Sequence, residues 1–90
     1  MADIDISHNH SLGKEAAKAK SNEVIEKIRS EFGVQGNWDG DVFRITKPTT
    51  GTFTVTDNNV RVQVELGFAM RMIKGKIEDR IKSELRRALG

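Results

Sequence analysis

The sequence predicts an α+β fold: a two-layer β-α-β-β-β-β-α sandwich, with a mainly antiparallel sheet and two helices packed on one face. Three observations carry this. Val60, Val62, Val64 and Leu66 fall on one side of an extended chain, since successive strand side chains point to opposite faces. The stretch that follows repeats Met70, Ile73, Ile77, Ile81, Leu85 and Ala88 at the three-and-four spacing of one helix face. Upstream, Asp39-Gly40 and Asp57-Asn58-Asn59 separate further alternating runs, and both are turn signals.

The first strand is read over Asp3 to His10, with Ile4, Ile6, His8 and His10 on one face and Asp3, Asp5, Ser7 and Asn9 on the other. A polar second face suits an edge position, and an edge can pair with a second copy, so a homo-oligomer through strand 3–10 is one expectation. Ser11 is read as the N-cap of a helix from Leu12 to Phe32, its hydroxyl meeting free backbone amides of the first turn. Ala17, Val24, Ile25, Ile28 and Phe32 form the buried stripe, and Gly33 ends the helix in a left-handed conformation.

Taking Asp39-Gly40 as a two-residue loop pairs Trp38 with Asp41, Gly36 with Phe43 and Val34 with Ile45. Val34, Trp38, Phe43 and Ile45 then share the inward face. Pro48 to Gly51 is read as a loop, Thr52 to Thr56 as the next strand with Phe53 and Val55 inward, and Val60 to Leu66 as the last strand. The opposite face collects Gln35, Asn37, Arg44, Thr46, Thr54, Thr56, Arg61, Gln63 and Glu65. That face should be wet.

In the last helix Lys74 projects into the middle of the apolar stripe, and Gly75 follows it. A buried lysine is costly, and a helix that starts or kinks near Gly75 would relieve the conflict. Projected around the helix, Lys76, Arg80 and Arg87 line an outer stripe, with Phe68 and Met72 beside it. Those two side chains either seal one end of the core or form an exposed patch suited to a lipid-like or polyester surface.

Ninety residues with 37% hydrophobic and 31% charged content fit one folded domain spanning 1–90, with little room for a deep cavity. The formal charge of +2 is uneven, because residues 68–90 carry seven Lys and Arg against three Asp and Glu. No cysteine is present, which removes disulfides, thiolate metal sites and cysteine nucleophiles. The acidic start M-A-D-I-D-I is unlike a signal peptide, and no apolar run approaches the ~20 residues of a membrane span, so a cytoplasmic protein is expected.

His8-Asn9-His10 places two imidazoles on one strand face, but no third ligand and no H-E-x-x-H pattern accompanies them. No metal and no cofactor is expected. The chain has no G-x-S-x-G elbow and no phosphate-binding glycine loop, and Asp39 and Asp41 are explained by the hairpin turn. An enzyme is not expected.

The M-A-D-I-x-I start, the helix opening near S-L-G, the W-D-G-D hairpin, V-x-V-x-L-G-F and G-F-A-M-R-M-I-K-G-K-I-E together resemble the polyhydroxyalkanoic acid system family. The resemblance covers almost the whole length. Members are small bacterial proteins encoded near polyhydroxyalkanoate synthesis or granule-associated genes. It implies a non-enzymatic accessory protein of polyhydroxyalkanoate storage that binds the granule surface, its polymer or a granule protein. Phe68, Met70 and Met72 would supply apolar contact, and Lys76, Arg80 and Arg87 would hold anionic groups nearby. Two alternatives stand beside it: a nucleic-acid-binding or regulatory protein using the basic last helix, and a small acyl-ligand binder with its ligand between sheet and last helix.

Overall fold

A computed structural model describes residues 2–90. Its elements follow the expected order: β1 (Ile4–Asn9), α1 (Lys14–Phe32), β2 (Gln35–Asp39), β3 (Val42–Lys47), β4 (Thr50–Val55), β5 (Asn59–Glu65) and α2 (Lys74–Leu89). A short 3₁₀ turn, Met70–Ile73, leads into α2. The five strands form one sheet in the order β1-β5-β4-β3-β2, every neighbouring pair antiparallel. β1 therefore lies at one edge and β2 at the other, and α1 joins them across the sheet. Its 19 residues reach about 28 Å, against the roughly 19 Å that five strands occupy side by side. The β2–β5 meander then walks back across the sheet until β5 lies beside β1.

Period-two alternation gives the sheet one apolar face. Ile4, Ile6, Phe43, Ile45, Phe53, Val55, Val60, Val62 and Val64 are buried there, with Ala17, Val24, Ile25 and Ile28 of α1 and Ile77, Ile81, Leu85 and Leu89 of α2 above them. The other face is open. Arg61 forks onto Asp5 across the β1–β5 pair, its Nη2 and Nε donating to the carboxylate at 2.9 and 3.1 Å. This pairing holds the Asp5 carboxyl below its usual range.

Four local readings need correction. Helix α1 begins at Lys14 rather than Leu12, and its N-cap is Gly13 at φ 82° with no side-chain cap. Ser11 does not cap it, and the His10 ring braces the approach to it instead. Its Nδ1 accepts from the Leu12 amide at 3.2 Å while its Nε2 donates to the Thr56 carbonyl at 3.1 Å. The first hairpin closes one residue later than expected, with Gly40-Asp41 as the loop and Trp38 opposite Phe43. Gly40 at φ 61° supplies the positive first position that a type II′ turn requires. The new register differs from the expected one by two residues, so the same side chains face inward. The β3–β4 loop shrinks to Pro48 and Thr49, since Thr50 and Gly51 already pair with β5. In the last helix, Ile73 is 38% exposed and Leu89, not Ala88, completes the buried stripe.

The Lys74 conflict is resolved by where the helix starts. Ile73, at φ −114°, breaks the helical path, and α2 begins afresh at Lys74 with that side chain exposed. Gly51, by contrast, is held by close packing. A Cβ there would stand 2.5 Å from the Gln63 carbonyl oxygen and 3.0 Å from Val64 Cα. Gly51→Ala should therefore destabilise the fold by about 1–3 kcal/mol. Gly75→Ala, in an α2 position with nothing within 4 Å of the added carbon, should be neutral or stabilising by up to about 1 kcal/mol. Chemical denaturation of the two variants beside the parent checks both values.

Candidate functional site

The residues singled out from sequence divide between two places. Leu66 is the last buried side chain of the β5 run, and its amide donates to Asp3 Oδ2 at 2.8 Å. Gly67 to Ile73 then leaves the sheet and climbs to the helix layer. Of its apolar side chains only Met70 packs against the core. Phe68 and Met72 are each 89% exposed, so they do not seal the core. They stand one helical step apart at one pole of the molecule, with Ile73 beside them in the chain. Arg71 lies 3.9 Å from Asp3 Oδ1. Lys74 and Lys76 are exposed, and neither forms an ion pair among the described residues. Leu66 to Ile77 contains no Asp or Glu.

Arg80 and Arg87 belong elsewhere. They converge with Lys27 of α1 on Glu84, a carboxylate only 2% exposed at the α1–α2 interface. Lys27 Nζ lies 3.1 Å from Glu84 Oε2, while Arg87 Nη1 and Arg80 Nη1 stand 3.6 and 3.7 Å from Oε1. Arg80 also reaches Glu31 of α1, Nε to Oε2 at 3.3 Å. The hydrogen bond from Lys27 holds the Glu84 carboxyl below its usual range; burial pushes it up, and the charges of Lys27, Arg87 and Arg80 add to the downward pull. The expected outer stripe of Lys76, Arg80 and Arg87 is thus not a single surface. Only Lys76 stays near Phe68 and Met72, since Arg87 lies roughly 22 Å of helix rise beyond Met72.

Glu84 escapes a search for apolar periodicity because it is charged. Its signal was positional: it sits seven residues after Ile77, in phase with the buried stripe.

The remaining candidates have structural employment. His8 Nε2 donates to the Gly90 backbone oxygen at 3.2 Å, and His10 braces the β1–α1 connection. Among the described residues no three His, Asp or Glu side chains gather as metal ligands. An open groove of about 540 Å³ lies between α1 and the β2–β3 hairpin, lined by Lys14, Lys18, Asn22, Trp38 and Asp41 among others. Its polar groups face one another: Lys14 pairs with Asp41 at 3.2 Å, Trp38 Nε1 donates to Asn22 at 3.0 Å, and Lys18 Nζ sits 5.0 Å from the Trp38 ring centre. The apolar crevice between sheet and last helix, beneath Met70, holds about 20 Å³. That is room for about one water, so it encloses no acyl chain. No helix among the described residues is long and apolar enough to cross a membrane.

Replacing Glu84 tests the helix interface. Glu84→Gln leaves Lys27, Arg80 and Arg87 without their shared anion, and the thermal midpoint should fall by several degrees at neutral pH. Because folding lowers the Glu84 pKa, its contribution is full above the unfolded-chain value of about 4.3. It is lost as pH falls below that value and through the folded one. The gap between parent and variant midpoints should therefore close on acidification. A constant gap down to low pH would assign the loss to packing instead.

Comparison with known proteins adds the family. No curated protein and no solved structure is a significant match to the chain. A family model described as putative polyhydroxyalkanoic acid system protein matches residues 4–89, from the first strand to the last turn of α2. The chain belongs to that family.

Proposed function

We propose that this protein is a non-enzymatic, cytoplasmic accessory protein of polyhydroxyalkanoate storage that works by surface contact, binding the granule surface, its polymer or another granule protein. The observation that carries the reading is the pole at Phe68 and Met72, two large apolar side chains 89% exposed on a stretch with no acidic residue. Scattered single apolar side chains on a surface need no explanation, whereas a cluster on one protruding segment marks a contact site. Family membership supplies the storage system as its setting. The other readings have less to stand on. Arg80 and Arg87 already share the carboxylates of Glu84 and Glu31, which lowers the charge they offer to phosphates, and the crevice of about 20 Å³ is too small for an acyl ligand.

Phe68→Ser combined with Met72→Ser should abolish co-sedimentation with isolated polyhydroxyalkanoate granules. The thermal midpoint should stay within a degree or two of the parent's, because neither side chain contributes to the core. Unchanged co-sedimentation of the double variant would remove the pole from the reading. Absence of granule binding by the parent would remove the reading itself.

A further inference from the structure

We infer that the Phe68–Lys76 pole seats in an anionic phospholipid interface; the inference rests on the reading above that this pole is the contact surface, and it names what the surface meets. Two properties of the pole specify that partner together. Phe68 and Met72 protrude, with Ile73 partly exposed after them, and a protruding cluster requires a phase that can close around it. Three cations, Arg71, Lys74 and Lys76, lie within the same segment, with no Asp or Glu from Leu66 to Ile77. The adjoining β3–β4 connection adds exposed Lys47. Its neighbour Pro48 lines a shallow surface hollow together with Gly67, which places this lysine on the same end of the molecule.

A neutral polyester would accept the apolar side chains but give the cations no counter-charge. A folded protein partner would need a preformed pocket deep enough for two side chains that are each 89% exposed. A lipid interface answers both halves. Its acyl boundary takes the apolar side chains to a depth of about 5–10 Å, and its phosphates lie level with ammonium groups carried on flexible apolar stems. Arg71 alone among the three is near an acid, 3.9 Å from Asp3 Oδ1 with its side chain 62% exposed, so it too can reach outward. The charges at the far end of α2 take no part, because Lys82, Arg86 and Arg87 lie roughly 15–22 Å of helix rise beyond Met72.

The test is sedimentation of the full chain with phosphatidylcholine vesicles prepared with and without phosphatidylglycerol, at low and high salt. Lipid-free polyhydroxyalkanoate particles and native granules are run in parallel. The parent should bind the phosphatidylglycerol vesicles roughly tenfold or more tightly than the neutral ones, and salt should narrow the difference. Phe68→Ser with Met72→Ser should weaken binding to the anionic vesicles roughly tenfold or more. Lys74→Gln with Lys76→Gln should do so only where phosphatidylglycerol is present, and Phe68→Leu should retain binding. Equal affinity for both vesicle types, or no vesicle binding by a parent that still binds lipid-free polymer or native granules, overturns the lipid assignment and leaves the granule reading standing. Binding to anionic vesicles without binding to native granules overturns the granule reading and leaves the lipid assignment intact.

Discussion

The hydrogen bond from the Leu66 amide to the Asp3 carboxylate, 2.8 Å, marks where the sheet ends, and the layout of the exposed apolar pole follows from it. The Asp3 amide donates in turn to the Val64 carbonyl at 2.9 Å, so the entrance to β1 and the exit from β5 are clamped together. Leu66 is the last side chain this edge of the sheet can bury. Beyond it the chain has no further strand to join and must climb to the helix layer before α2 can cover the remaining apolar face. The climbing segment, Gly67 to Ile73, returns one side chain to the core, Met70. Phe68 and Met72 are outside because the path is short and its one inward position is taken.

The same geometry decides where the positive charge is displayed. Residues 68–90 hold seven cations, and the C-terminal half of α2 pairs two of them with Glu84 and the neighbouring Glu31. A carboxylate 2% exposed survives at a helix interface only when cations from both helices meet it; Lys27 supplies the α1 side and Arg80 and Arg87 the α2 side. This network orients α2 against α1. At the start of the helix Lys74 and Lys76 are exposed, with no ion-pair partner among the described residues, and Lys82 and Arg86 are exposed farther along.

The architecture was legible in the sequence because each strand alternates and each helix carries a stripe, and burial enforces both patterns. What escaped was detail to which those patterns are blind. The β2–β3 register slipped by two residues, and a slip of two leaves Trp38, Phe43 and Ile45 on the same face, so apolar alternation could not detect it. Ser11 has the chemistry of a cap, but the helix starts later, at Lys14, with Gly13 as its N-cap and no side-chain cap. A wheel drawn through Met70 and Leu89 as one helix put Ile73 in the core and Lys74 beside it. The break at Ile73 restarts the phase and reverses both. Of the residues singled out, Phe68, Met72 and Lys76 lie exposed on one short segment while Met70 packs inward, and Arg80 and Arg87 pair with Glu84, which no apolar pattern contains.

A chain of this size has one core and little else in which to build function. The sheet's open face is polar, the polar groups of the open groove at Trp38 are paired with one another, and the crevice beneath Met70 has room for about one water. What the fold does not use for itself is the apolar surface of Phe68 and Met72. Burying a side chain of that kind is worth about 1.5–3 kcal/mol, and the isolated domain gains none of it from these two. Their exposure follows from backbone path rather than from any need of the core, and polar residues at both positions would serve the fold equally well. A stabilisation absent from folding is available for association, and with cations on the same short segment it is available first to a surface that is apolar within and anionic at its rim.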